Sequence, residues 1–249
     1  MIQIEYLNRL GDYVDVPAIY FYQQILGENK KITESQYHLL KKTFLDRQDT
    51  LSYKDQQLIY LYLLNILIRI YLSGNNQLLP ELFNLYKTGI KNQLIIHNGR
   101  ISDKTFSNIV TTGNSLGHTP FIFSFIEKHT SFLKPEEQLD GKTWGMAHSY
   151  FYQHKFEETI DLLWPYKFNT VAFERSGKFL LLQAYFEAFR KDDSYLSLFF
   201  DYCNALKKYI HRDKNLSLNR KKALYNFIKY SSKIADYIIR KEKTPIYCY

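Results

Sequence analysis

The chain has 249 residues, 45% hydrophobic and 23% charged, with 33 Lys and Arg against 25 Asp and Glu. That length suits one large domain or an extended repeat array with an ample core, and the composition is ordinary globular usage. Only Cys203 and Cys248 occur, far apart and with no CxxC pair, which excludes a disulfide framework and a four-cysteine metal site and suits a reducing cytoplasm.

In chain order, residues 1–15 carry acidic side chains early and no continuous apolar stretch, so they do not read as a secretory signal. Pro17 is placed to open a helix running to about Leu26, stopped by Gly27. Thr33 followed by Gln36 forms a capping-box pattern that opens a helix to about Asp46. Ser52 caps the next helix, whose residues 58–72 are the longest apolar run. It is too short to span a bilayer and holds Asn65 and Arg69, so it reads as a buried helix ending at Gly74–Asn75–Asn76. A helix is expected over residues 78–96, a turn at Asn98–Gly99, and a helix from the Ser102 cap to about Leu116. Further helices are expected at about 119–132, 136–153, 156–164, 170–190, 193–211 and 217–241. Gly (10) and Pro (6) are scarce and no alternating strand is evident, so the expected fold is all-α, with short links that make successive helices antiparallel neighbours.

A spacing recurs within this pattern. Ala147, Phe156 and Thr159 form a small–aromatic–small series across a polar break, and Thr112, Phe121 and Ser124 repeat it. Tyr195 follows the break at Asp192–Asp193, with Leu198 in place of the last small residue. The aromatic positions lie 35 and 39 residues apart, against the 34-residue period of tetratricopeptide repeats. Antiparallel helix pairs without any repeat give a similar pattern. With ELFNLYK (81–87), FSNIV (106–110), LLLQAYFE (180–187) and YNFIKY (225–230), residues 75–241 resemble the tetratricopeptide-like (TPR-like) α-solenoids, more specifically bacterial helical-repeat proteins. The resemblance implies an α-α superhelix of antiparallel pairs across residues 1–249, a single helical-repeat domain acting as a protein-binding scaffold. It carries over no catalytic residue. The opening of the chain lacks a polar capping helix, so the expectation includes a longer array and self-association through the N-terminal end.

Motifs that carry chemistry fare poorly. Asp140–Gly141–Lys142–Thr143 contains the tail of a P-loop, but Glu136 stands where the first glycine belongs and the context is helical. Gly113, Gly117 and His118 read as a tight turn at a helix end rather than a nucleotide loop. None of the seven histidines forms HExxH or an i, i+4 pair. Glu136–Glu137, Glu157–Glu158 and Asp192–Asp193 stand at helix starts, where carboxylates complement the helix dipole. No GxSxG or SxxK motif is present. No enzymatic activity, metal or cofactor is therefore expected.

Charge is unevenly placed. Residues 207–243 hold 12 Lys and Arg against Asp213, Asp236 and Glu242, while the rest of the chain is close to neutral. In the last helix, Leu224, Phe227, Ile228, Ile234, Ala235 and Ile238 are expected on one face, with Lys222, Lys229, Lys233 and Arg240 opposite. That segregation suits a C-terminal capping helix. Lys207, Lys208 and Arg212 lie near it, so these seven cations form a possible interaction surface for nucleic acid or an acidic protein. The leading expectation is a non-enzymatic protein- or peptide-binding scaffold in the cytoplasm, without a membrane partner. The alternative is a nucleic-acid-binding protein using the basic C-terminal helices.

Overall fold

The computed structural model describes residues 32–243 together with Phe21. The expected helix from Pro17 and the N-terminal self-association surface lie outside those residues. The described chain is helical, with ten α-helices, short 3-10 turns and no β-strand among the described residues. Its sole β-like feature there is an isolated His97–Arg100 bridge closed over Asn98 and Gly99, both with positive φ. None of the described helices is long and apolar enough to cross a membrane. Contacts divide the chain into two compact units, residues 1–118 with 131–134, and residues 119–130 with 135–249.

The first unit is built on α1 (Glu34–Arg47), α2 (Tyr53–Leu72), α3 (Leu79–Lys91) and α4 (Asp103–Ser115). Its helix starts follow the sequence signals. Thr33 and Gln36 close a reciprocal capping box, Ser52 accepts from the Asp55 N–H, and Ser102 accepts from the Thr105 N–H. In α1, Tyr37, Leu40 and Phe44 are buried at helical spacing, and α2 buries Ile59, Tyr60, Leu63, Leu64, Ile66 and Leu67. The Tyr60 hydroxyl donates to the Leu85 carbonyl at 2.6 Å, tying α2 to α3. The α3 helix stops at Lys91, short of the expected Ile96. Gln93 turns left-handed (φ 57°), and Leu94 and Ile95 fold back into the core. Gly89 permits this return, because a Cβ there would lie 2.8 Å from both Ile95 Cγ2 and Tyr60 Cε1. Burial of the two apolar residues after the turn outweighs the helical periodicity that ran through them.

The second unit holds α5 (Thr119–His129), α6 (Pro135–Tyr152), α7 (Phe156–Leu163), α8 (Val171–Phe189), α9 (Leu196–Arg212) and α10 (Leu218–Lys243). Each helix from α7 to α9 packs on the one before it, and α10 packs on α9. The α6–α7 joint is a Schellman turn. His154 sits left-handed at φ 60°, its N–H bonds the Phe151 carbonyl, and the Lys155 N–H reaches back to Tyr150. Ala147 is fully buried where α6 meets α7, and the Thr159 hydroxyl comes within 3.3 Å of its carbonyl oxygen. A small residue at this position lets two backbones approach. The related aromatic positions differ in environment: Phe156 is buried, Phe121 is 38% exposed, and Tyr195 lies in a half-buried 3-10 turn.

Candidate functional site

An aromatic hollow of the second unit lies where the α7–α8 connection meets α8 and α9. Pro165 halts α7, and the chain crosses to α8 through Tyr166, Phe168 and Thr170. Asp140, on the second turn of α6, fixes this crossing. Its fully buried carboxylate accepts the backbone N–H groups of Asn169 (3.0 Å) and Thr170 (2.7 Å), the Thr170 hydroxyl (2.7 Å) and the Tyr166 hydroxyl (2.9 Å). Donors converging on both oxygens make Asp140 a structural latch. The DGKT segment is thus helix interior: Asp140, Gly141 and Thr143 are buried, and Lys142 pairs on the surface with Glu127 at 3.0 Å.

With the connection held, a cavity of about 110 Å³ opens between Leu163, Trp164, Tyr166, Phe168, Leu181 and Tyr202. Gly177 of α8 shapes its floor, since a Cβ there would sit 2.6 Å from the Phe168 ring. Trp164 stands at the mouth, 64% exposed, with its ring edge-on to Tyr185 (6.3 Å) and Tyr202 (6.4 Å). Tyr202 and Tyr209 stand seven residues apart on one side of α9, Tyr195 precedes them by another seven in the 3-10 turn before the helix, and Leu198 is exposed. Burial raises the hydroxyl pKa of Tyr202 and, helped by the Glu174 carboxylate, pushes that of Tyr209 up to about 12. Both therefore serve as neutral donors, Tyr202 to the Lys178 carbonyl at 3.2 Å and Tyr209 to Glu174 at 3.0 Å. Next to Tyr209 stand two ion pairs, Lys178 with Glu174 at 3.5 Å and Arg175 with Asp213 at 2.7 Å, the latter holding the Asp213 carboxyl below its usual range. What stays open is the aromatic end. Burial there is incomplete around the large Trp164 indole.

The seven basic residues expected as an interaction surface are all exposed. The Tyr225 hydroxyl donates to the Lys207 carbonyl, and Lys221 Nζ donates to the His211 carbonyl, so Lys207, Lys208 and Arg212 run beside the first half of α10. Lys222, Lys229, Lys233 and Arg240 continue along α10 over about 27 Å, at 1.5 Å per residue. The apolar face expected for that helix needs correction. Ile228 and Ala235 are fully buried and Leu224 and Ile238 half-buried, but Phe227 (38%) and Ile234 (51%) are exposed. The buried row follows the seven-residue step from 228 to 235, and Phe227 and Ile234 lie about a third of a turn from it.

The other sequence features resolve into structure. Gly117 turns left-handed (φ 77°) after α4, the His118 N–H bonds the Gly113 carbonyl, and the His118 ring stacks on Phe83 at 4.9 Å. Glu136–Glu137 and Glu157–Glu158 occupy first turns, and Asp192 caps a 3-10 turn through the Ser194 N–H. His148 is buried between Trp144 (5.1 Å) and Tyr152 (4.8 Å), and burial lowers its pKa to about 4. No group of three His, Cys, Asp or Glu able to hold a metal ion occurs among the described residues. In the first unit a shallow hollow of about 660 Å³ runs past Tyr53, Gln57 and His97. Its polar groups are engaged in holding the 93–96 turn, Gln57 Nε2 donating to the Ile96 carbonyl at 2.6 Å and Tyr53 to the Gln93 carbonyl at 3.0 Å.

In the sequence Trp164 is only the last residue of an expected helix and Tyr195 only a repeat position, while Tyr202 and Tyr209 carry no motif. The heptad spacing of Tyr195, Tyr202 and Tyr209 was the available signal, masked by the abundance of tyrosine throughout the chain. The chain matches no family model, no curated protein and no solved structure.

Proposed function

We propose that the protein is a non-enzymatic, TPR-like binding scaffold that takes a peptide segment of a partner protein in the α7–α9 groove. The observation that carries this reading is Trp164, an indole 64% exposed at the mouth of an aromatic cavity whose Tyr166 and Tyr202 walls are hydrogen-bonded in place. Large aromatic anchors on a preorganised surface contribute most to peptide affinity, because few side chains must be ordered on binding. Support for the TPR-like arrangement comes from the succession of packed helices and the close Ala147–Thr159 crossing. The test is a displayed random-peptide library selected on the wild type and counter-selected on Trp164→Ala. Peptides sharing an apolar or aromatic anchor are expected, and they should shift Trp164 fluorescence on binding. Absence of enrichment, or enrichment equal on Trp164→Ala, refutes the reading.

A second reading, nucleic-acid binding, is favoured by the exposure of all seven basic residues along α9 and α10. Four contacted phosphates would give a log–log salt slope of roughly −3.6 on duplex DNA. Oligonucleotide titration of the wild type and of a Lys222→Gln, Lys229→Gln, Lys233→Gln, Arg240→Gln variant decides it, and no wild-type binding at about 50 mM salt excludes it.

A further inference from the structure

We infer that the outer face of α10 is a second docking surface, one that receives an acidic amphipathic helix from another protein. Phe227, Tyr230, Ile234 and Tyr237 follow one another at intervals of three, four and three residues. That spacing keeps them in one row down the helix, as in the a and d positions of a coiled coil. All four are exposed, at 38%, 58%, 51% and 65%. The row stands apart from the buried row of Ile228 and Ala235 that packs α10 into its unit. At one end of the row the Phe227 ring meets the half-buried Phe179 of α8 at 6.0 Å, which fixes that end against α8. A helix that needed only to cap its unit would bury one apolar row and solvate the remainder. This one carries two.

The charge beside the second row selects the occupant. Exposed Lys229, Lys233 and Arg240 flank it on the side away from α8, Lys222 extends that flank, and Lys241 ends the row, against only Asp236 and Glu242 in the helix. A second copy of the chain would bring the same cations face to face, and the like-charge contact would oppose pairing. Duplex DNA would satisfy the cations and leave the exposed Tyr230, Ile234 and Tyr237 side chains uncovered. A helix with apolar a and d positions and Glu at e and g satisfies both rows at once.

The experiment uses the full chain and a fluorescent designed peptide of about three heptads, Leu and Ile at a and d, Glu at e and g. Fluorescence anisotropy is measured at about 50 mM and 300 mM salt, with the Lys-for-Glu version of the peptide and a single-stranded oligonucleotide as alternatives. Binding of the acidic peptide is expected, weaker at high salt. It should fall at least about tenfold in Tyr230→Ser/Ile234→Ser and again in Lys229→Gln/Lys233→Gln. These positions are exposed, so unchanged melting confirms that each variant is folded. The inference is overturned by no binding, by equal binding of the Lys version, or by indifference to the stripe variant. It is equally overturned if sedimentation shows a dimer that Tyr230→Ser/Ile234→Ser dissolves, or if only the oligonucleotide binds. Trp164→Ala should leave this binding unchanged, which separates the outcome from that of the α7–α9 groove.

Discussion

Replacing Asp140 with Ala removes the group on which the α7–α8 crossing converges. Two backbone N–H donors, from Asn169 and Thr170, lose their acceptor, together with two hydroxyls that can rotate toward others. A stranded buried donor costs about 1–3 kcal/mol, and these two are partly shielded, so the expected loss is roughly 2–4 kcal/mol. For a unit of this size that corresponds to a melting-temperature drop of roughly 5–12 °C. Asp140→Asn should be milder. With its amide nitrogen toward Tyr166, whose hydroxyl can turn to accept, the remaining oxygen still receives the N–H groups of Asn169 and Thr170. The cost is then the lost charge assistance, on the order of 1–2 kcal/mol. Tyr166→Phe removes a single bond, about 1 kcal/mol. Urea and thermal unfolding of the three variants should therefore rank Ala worst, then Asn, with Phe mildest. A loss below about 1 kcal/mol in Asp140→Ala would refute the latch, because no arrangement of four donors around a deleted acceptor is that cheap.

Ala147→Leu should overpack the α6–α7 crossing at a cost of about 1–3 kcal/mol, and an unchanged melting temperature would show that the helices do not meet there. His148 has a folded pKa of about 4, below its ordinary 6.5 because burial disfavours the charged ring. The unfolded chain thus binds more protons between those values. The contribution is complete above about pH 6.5 and lost as pH falls, about 2 kcal/mol by pH 5. His148→Gln should flatten that part of the stability profile relative to wild type, and identical profiles would refute it. His154→Val should destabilise by about 1–2 kcal/mol, because a β-branched residue fits poorly at φ 60°, whereas His154→Gly should not; equal effects would contradict the left-handed turn.

Helix content and most helix starts were written locally. Thr33, Ser52 and Ser102 each cap a helix through a side-chain bond within three residues, information that a sequence carries in full. So were the turn at Gly117 and the placement of the paired carboxylates at helix starts, which depend only on local signals. The exposure of the seven basic residues was legible too, since charge seeks water wherever the fold permits. The end of α3 was not. Periodicity ran through Leu94 and Ile95, and only the space left by Gly89 beneath Tyr60 made folding back more favourable than another helical turn. The apolar row of α10 was similarly underdetermined. Many apolar and aromatic residues share this helix, but which of two rows faces inward is set by what α9 presents, and Ile228 and Ala235 won that contact over Ile234 and Phe227. The groove lies furthest from the sequence. Asp140, Trp164, Gly177 and Tyr202 come from three helices and a connection, each unremarkable alone. Their convergence is a long-range fact that only tertiary packing could decide.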